Sequence, residues 1–145
     1  MAGAPLNFLV VEDEAVLAMD ITAVVEEAGH AVSGEASSLA EVAALPETLA
    51  VDCALVDIQL LHGSSGVDAA CVLLQLYPSV RILFITANPR VVPLDFKGAL
   101  GILEKPFSHT GLLAALGYVG RAIGGGDDPG PMPPGIRPVR QSAVH

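Results

Sequence analysis

Three acidic residues end the first apolar segment of the chain, in the stretch "LVVEDE" that runs from Leu9 to Glu14. Carboxylates this close repel one another, so a fold buries them only when a cation, a basic side chain or protonation neutralises the charge. Acidic residues are also common in the solvated first turn of a helix, where they suit the positive end of the helix dipole. The stretch alone therefore allows two interpretations, a charged site or an ordinary helix start.

Polar residues stand at the ends of three further apolar segments. Asp57 ends "CALVD", Thr86 ends "RILFIT", and Lys105 follows "ALGILE". Each has an ordinary explanation by itself, as a turn former, a β-branched strand residue or a solvated lysine. If the segments are parallel strands of one sheet, however, their carboxyl ends share an edge, and open α/β sheets bind ligands at that edge.

Such an edge would bring Glu12, Asp13 and Asp57 together. A magnesium ion would neutralise them, since it takes oxygen ligands from one or two carboxylates and keeps its other positions for water or phosphate. Lys105 could then hold a phosphoryl oxygen, and the hydroxyl of Thr86 could donate to the same group. The pattern indicates phosphoryl transfer, which depends mainly on positioning and charge neutralisation.

Five short apolar segments alternate with helical patterns along the first 123 residues. The segments "NFLVV", "AVSGEA", "CALVDIQ", "RILFIT" and "ALGILE" are too short for helices and suit buried strands. Helical spacing of apolar residues, with Gly or Pro at several of the expected ends, predicts helices over residues 14–28, 38–45, 67–77 and from Ser108 onward. The alternation predicts a five-stranded, doubly wound α/β domain with a parallel sheet.

Composition narrows the class of function. The chain has 145 residues, which is room for one ordinary domain, and a net charge of −9 with only seven Lys and Arg. That charge balance lacks the excess of positive charge that binding to nucleic-acid phosphates requires. No apolar run approaches the roughly 18 residues of a membrane span, and the N-terminal residues do not resemble a secretory signal. We therefore expect a cytoplasmic protein without nucleic-acid or membrane partners.

The C-terminal 22 residues, 124–145, differ in composition from the rest. They are rich in Gly and Pro and have no periodic apolar face, so a disordered tail is predicted. Cys53 and Cys71 lie in apolar surroundings and are both predicted to be core thiols. The histidines lack ligand spacing, which argues against a zinc site and favours solvent or turn positions. They are His30, His62, His109 and His145.

The motifs "VVED", "LVDIQL", "FITA" and "EKPF", in this order and each at a predicted strand end, resemble the receiver domain of bacterial two-component response regulators. The resemblance covers residues 7 to about 123. It implies a flavodoxin-like sheet with the strand order 2-1-3-4-5 and a cis bond between Lys105 and Pro106.

This resemblance implies that Asp57 is the phosphoacceptor, phosphorylated by the phosphohistidine of a sensor histidine kinase or a phosphotransfer protein. Asp13 and Asp57 would bind Mg²⁺ together with the backbone carbonyl of Gln59. Glu12 would act through a metal-bound water. The domain would assist its own phosphorylation and dephosphorylation but would not be an enzyme with an external substrate.

The resemblance also implies that Lys105 contacts the phosphoryl group and that Thr86 moves to hydrogen-bond it. Receivers usually pair that threonine with an aromatic residue three positions before the lysine, but here the position is Ile102. Gln59 and Asn88 occupy positions that tune the lifetime of the phosphoryl group in the family.

The connection "ANPRVVPLDFKG" leaves room for at most a turn or two of helix, where receivers usually have a full fourth helix. A short or irregular fourth helix, in a mobile connection, is expected. This resembles a subgroup of single-domain receivers in which that helix is reduced.

Three other functions use similar residues. A phosphatase of the haloacid-dehalogenase type needs a second aspartate two residues after the nucleophile, and that residue is Gln59. A nucleotide binder of flavodoxin architecture needs a Gly/Ser/Thr-rich loop after the first strand, but the sequence there is "EDEA". A degenerate receiver would lack an acidic residue, the acceptor or the lysine, and all are present.

The sequence therefore predicts a single-domain receiver, a phosphorylatable switch that changes protein–protein binding or drains phosphoryl groups from a kinase. The remaining alternative is a phosphorylation-independent interaction module with the same fold. His62, in the loop after Asp57, could contact a partner but is expected to be exposed.

Overall fold

The structure is a computed structural model that describes residues 5–60, 65–88, 96–124 and 130–138. Its elements, in chain order, are β1 (Asn7–Val11), α1 (Ala15–Glu27), β2 (Ala31–Ala36), α2 (Leu39–Ala43), β3 (Cys53–Asp57), α3 (Gly66–Leu76), β4 (Arg81–Thr86), β5 (Ala99–Glu104), α4 (His109–Gly124) and β6 (Ile136–Arg137). The predicted bounds of β1, β2, β4 and β5 equal the observed bounds, and β3 ends two residues before its predicted end at Gln59. The predicted helix bounds differ from the observed helix bounds by one or two residues.

The sheet has the strand order β2-β1-β3-β4-β5-β6. The first five strands are parallel, and β6 joins β5 in the antiparallel direction. The predicted doubly wound α/β fold with the order 2-1-3-4-5 is confirmed, with one strand added at the end of the sheet. Every residue of β3 is buried because this strand lies in the middle of the sheet.

Alternate strand residues face two hydrophobic layers, as strand geometry requires. In β1, Phe8 and Val10 pack in the layer of α1 and α4, whereas Leu9 and Val11 pack in the layer of α2 and α3. This two-sided burial explains why the strands read as continuous apolar runs in the sequence. None of the helices in the described ranges combines the length and apolar composition needed to cross a membrane.

Residues 130–138 lie against the sheet and include β6, within the segment 124–145 that is predicted to be a disordered tail. Ile136 is 6 % exposed and joins the hydrophobic core, and it pairs with Leu103 of β5. Ile136 is thus the apolar contact between this segment and β5, and disorder of the tail as a whole stays a prediction. The remaining residues of the predicted tail, 125–129 and 139–145, lie outside the described residues.

The two cysteines differ in environment. Cys53 is buried in β3, and burial raises the pKa of its thiol. Cys71 is exposed, so the prediction of a second core thiol is wrong. The helical pattern of α3 explains the difference, since Ala69, Ala70 and Leu73 form its buried face and position 71 falls on the other side.

We expect a thiol-alkylating reagent to add one group to the native protein, at Cys71, because only an accessible thiolate reacts. Denaturation in urea should expose Cys53 and allow a second addition. Intact mass spectrometry would count the groups, with Cys71→Ser as the control that should stay unlabelled in the native state. A native protein that takes up two groups would contradict the burial of Cys53.

His30 is half-buried and lies in the short turn connection between α1 and β2, one of the two environments predicted for the histidines. Its Nδ1 accepts a hydrogen bond from the Leu6 N–H at 2.9 Å, and its ring centroid lies 5.2 Å from that of Phe8. Burial lowers the pKa of His30. His109, in contrast, is exposed as expected and contacts Glu27 at the surface. The predictions for His62 and His145 fall outside the described residues.

The connection between β4 and β5 is described at its two ends. Phe96 packs edge-on against Phe84 of β4, with ring centroids 5.1 Å apart. The predicted short or irregular fourth helix falls mainly on residues 89–95, which lie outside the described residues.

Candidate functional site

The carboxyl ends of four parallel strands bring the predicted site residues to one edge of the sheet. Glu12 and Asp13 follow β1, Asp57 ends β3, Thr86 ends β4 and Lys105 follows β5. The β1–β3 and β3–β4 pairings hold these ends side by side. The convergence expected from the sequence is therefore present in the structure.

Lys105 connects two buried carboxylates. Its Nζ lies 2.7 Å from Asp57 Oδ2 and 3.5 Å from Glu12 Oε1. Asp57 and Glu12 are each 4 % exposed. Because buried carboxylates without a partner are costly, the ammonium group is the cation that this arrangement needs when no metal ion is bound. The Lys105–Pro106 bond that follows is cis, as the resemblance implied.

The electrostatics of the cluster favour protonation of Glu12. Burial, its side-chain hydrogen bond with Asp57 and repulsion by Asp57 raise the pKa of Glu12 to about 8, although the Glu14 N–H and the charge of Lys105 act in the opposite direction. Burial alone would lower the pKa of Lys105, but its contacts with Asp57 and Glu12 outweigh burial and raise it. The site therefore holds one firmly charged lysine and one carboxyl that ionises near neutral pH.

The acidic residues fit a small divalent cation. One carboxylate oxygen from each of Glu12, Asp13 and Asp57 lies within 4.8 Å of the other two. Three hard oxygen donors converging at this spacing match the preference of Mg²⁺, which would also replace the proton on Glu12 as the source of neutralisation. Asp13 is half-buried and therefore remains open to solvent on one side.

Gln59 lies beside the acceptor. Its backbone N–H donates to Asp57 Oδ1 at 2.9 Å, which fixes the carboxylate plane while Lys105 holds the other oxygen. The side chain is exposed. The backbone of Gln59 is thus next to the acidic cluster, as the predicted carbonyl ligand requires.

Thr86 is buried at the end of β4, with 3 % of its surface exposed. Its Oγ1 accepts a hydrogen bond from the Asn88 N–H at 3.0 Å, so the hydroxyl is engaged with its own loop in this structure. The carbonyl of Thr86 accepts the backbone N–H of Lys105 at 2.9 Å. Thr86 therefore positions the lysine through the backbone, while its hydroxyl would have to turn to reach a phosphoryl group.

Ile102 occupies the β5 position where an aromatic residue was expected from the resemblance. It is 5 % exposed and packs in the layer of α2 and α3, paired with Phe84 of β4. The identity of this residue therefore departs from the family pattern.

Gly66 is a site residue that the sequence reasoning missed. A Cβ atom on this residue would overlap the backbone carbonyl oxygen of Asp57 and would lie 2.7 Å from Ile58 Cα. Its N–H donates to the Ile58 carbonyl at 2.7 Å. The first turn of α3 thus presses directly on the backbone of the predicted phosphoacceptor. Gly66 is the last residue of the motif "HGSSG", which indicated a turn in the sequence. The close contact of Gly66 with β3 is visible only in the structure.

Comparison with known proteins identifies the family. Residues 8–117 match the family model described as the response regulator receiver domain. The chain therefore belongs to the receiver domain family, as its motifs suggested.

A curated protein and a solved structure, both of PhyR, are similar to this chain over most of its length. The phyllosphere-induced regulator PhyR of Methylorubrum extorquens is 37 % identical over 112 residues, which cover 76 % of this chain and 42 % of that protein. The crystal structure of the response regulator PhyR from Brucella abortus superposes with a TM-score of 0.70 at 33 % identity, covering 84 % of this chain and 49 % of that one.

A further solved structure is described as the anti-anti-sigma factor PhyR from Bartonella quintana. It is 33 % identical, with a TM-score of 0.63, and the match covers 76 % of this chain and 46 % of that protein. The chain spans about half the length of these relatives. The similarity applies to their receiver part, so it does not transfer the activity of the whole proteins.

Proposed function

We propose that this protein is a phosphorylatable signalling switch that accepts a phosphoryl group on Asp57 from a sensor histidine kinase or a phosphotransfer protein. The observation that carries the proposal is the position of Asp57, whose Oδ2 is held 2.7 Å from Lys105 Nζ inside a cluster of three carboxylates. This arrangement provides a nucleophile, a phosphate-binding cation and a place for a metal ion within one site.

In the proposed reaction a carboxylate oxygen of Asp57 forms a bond to phosphorus as the bond between phosphorus and the donor imidazole nitrogen breaks. When bound, Mg²⁺ supplies charge neutralisation between the carboxylates and the phosphoryl oxygens. Lys105 exchanges its contact with Asp57 Oδ2 for one with a phosphoryl oxygen. The Gln59 N–H keeps the other carboxylate oxygen in place, and the hydroxyl of Thr86 turns from Asn88 toward the new group.

Incubation with acetyl phosphate and Mg²⁺ should increase the intact mass by one phosphoryl group. Asp57→Asn should abolish the increase because an amide oxygen is a poor nucleophile. Asp20→Asn, which changes an exposed aspartate on α1, is the matched control and should be labelled like the wild type. A wild-type protein that stays unlabelled while a known receiver is labelled in parallel would favour the phosphorylation-independent interaction module.

The metal part of the proposal has a separate test. Isothermal titration with Mg²⁺ should give one site, and Asp13→Asn should weaken it by at least tenfold because one of three converging oxygen donors loses its charge. Glu14→Gln changes an exposed neighbour outside the cluster and should leave the affinity within about twofold. Equal affinities for wild type and Asp13→Asn would remove Asp13 from the metal site.

The proposed output is altered binding to another protein, or loss of phosphoryl groups from a kinase when the protein acts as a phosphate sink. Phosphorylation adds roughly one and a half to two negative charges at Asp57 and so shifts the balance between conformations. The Bartonella quintana relative is described as an anti-anti-sigma factor, which supports a protein rather than a nucleic acid as the downstream partner. The proposed location is the cytoplasm, where histidine kinases donate their phosphoryl groups.

A further inference from the structure

The outer edge of β5 is covered by the segment 130–138, named here the edge segment. Within it, β6 pairs with β5 so that Ile136 lies opposite Leu103 and Arg137 opposite Ile102. Arg137 Nε also lies 2.7 Å from Glu104 Oε1. The edge segment therefore combines an apolar contact, a backbone pairing and an ion pair along one strand edge.

Gly101 leaves space on β5 for the contact with Ile136. A Cβ on Gly101 would lie 2.7 Å from Ile136 Cγ2 and 3.0 Å from the Arg137 carbonyl oxygen. Glycine inside a strand marks either an irregularity or a close approach of another segment. Gly101 shows both, because the β4–β5 register shifts next to it, its φ is 158°, and its missing side chain leaves the space that Ile136 fills. The edge of β5 is thus a preformed seat for an extended segment with an apolar side chain at the Ile136 position.

The edge segment is attached to β5 by few contacts. The strand β6 has two residues, and the Glu104 N–H reaches the Gly135 carbonyl only at 3.4 Å. The side chains of the Arg137–Glu104 pair are 60 % and 37 % exposed, and exposed pairs contribute little. Because the edge segment makes so few contacts, it can leave the edge of β5, which can then pair with another strand.

We propose that the β5 edge is a docking site for an extended segment of another protein, and that the edge segment competes with it. The ligand would add a strand, place an apolar side chain over Gly101 and set a basic side chain against Glu104. A basic ligand is favoured further by the net charge of −9. This inference concerns a surface beside Lys105 and does not depend on phosphorylation of Asp57.

The probe is a synthetic peptide with the sequence of residues 130–138, "GPMPPGIRP". It is titrated into the isotope-labelled full chain and followed by backbone amide shifts, which detect millimolar affinities. In the chain carrying Ile136→Asp the edge is freed, and we expect saturable shifts centred on Leu103 and Glu104. The wild type should need at least tenfold more peptide, because its own edge segment occupies the site.

Two peptide controls test the proposed chemistry. A peptide with the Ile136→Asp change should not bind, because a carboxylate cannot enter the apolar space over Gly101. A peptide with the Arg137→Glu change should bind more weakly, because it sets a negative charge against Glu104. If the Ile136→Asp chain does not give a dispersed, folded spectrum, the Arg137→Glu chain serves instead, since like charges then expel the edge segment.

Three outcomes would overturn the proposal. The first is an absence of shifts along β5 in a folded variant with a freed edge. The second is equal affinity for wild type and variant, which would place the peptide elsewhere. The third is a wild-type dimer in solution that Ile136→Asp converts to a monomer, because the occupant would then be a second copy of this chain.

Discussion

The free energy of unfolding of the metal-free protein should fall as the pH rises from about 4.5 to about 8. The cause is Glu12, whose pKa rises from 4.5 in its ordinary state to about 8 in the folded protein. In this range the unfolded chain ionises Glu12 while the folded chain keeps it protonated, so the folded state binds more protons and loses stability as protons become scarce. The full difference corresponds to about 4–5 kcal/mol as an upper bound.

Urea unfolding of wild type and Glu12→Gln at a series of pH values would measure this effect. Because the substituted amide cannot ionise, Glu12→Gln should match the wild type near pH 4.5 and exceed it by roughly 2–4 kcal/mol at pH 8. Taking the difference at each pH removes the contribution of groups common to both proteins, such as His30. Glu14→Gln changes an exposed neighbour and should follow the wild-type curve. A constant difference between wild type and Glu12→Gln would contradict the raised pKa.

Addition of Mg²⁺ should reduce the dependence of the wild-type free energy of unfolding on pH, because a bound cation stabilises the ionised form of Glu12. The same addition should have little effect on the slope for Glu12→Gln. A wild-type slope that Mg²⁺ leaves unchanged would separate Glu12 from the metal site while leaving the pKa argument intact.

Gly66→Ala should destabilise the protein by at least about 3 kcal/mol, although alanine is the better helix former. The added Cβ would meet backbone atoms of Asp57 and Ile58, which cannot rotate away as a side chain could. Either α3 or the end of β3 must therefore move. We also expect a loss of phosphoryl uptake, since the shift would displace the Asp57 carboxylate from Lys105.

Gly117→Ala is the matched control for this substitution. Gly117 lies on the exposed side of α4, and a Cβ there would be 3.4 Å from Arg121 Nη1, which is an ordinary contact with a flexible side chain. This variant should gain roughly 0.5–1 kcal/mol, because alanine is less flexible than glycine in the unfolded chain. Thermal and urea unfolding would measure both variants. A stabilised Gly66→Ala would show that α3 does not press on β3 as described.

The edge of the sheet at which the site forms could be predicted from sequence because parallel strands place their carboxyl ends together. Asp57, Thr86 and Lys105 each follow or end an apolar run, so knowledge of the strand direction was sufficient to group them. Their proximity is confirmed by the structure, while their roles in phosphoryl transfer remain predictions.

Other features depend on contacts between distant segments that no local pattern records. Gly66 is required because the start of α3 approaches the end of β3. The contact of Ile136 with β5 depends on the space above Gly101. The wrong prediction for Cys71 arose because apolar neighbours in sequence do not determine which face of a helix is buried.

The ion pairs at the site join residues that are far apart in the sequence, so the site forms only in a chain that has folded. Lys105 and Glu12 are 93 positions apart in the chain, and Lys105 and Asp57 are 48 positions apart. We expect contacts of such long range to form only once the intervening strands have paired, because closing long loops costs entropy that the completed sheet offsets. A chain truncated before Lys105 or a misfolded chain would lack the assembled cluster. If Asp57 is the phosphoacceptor as proposed, we expect its reactivity with a phosphoryl donor to report that folding is complete.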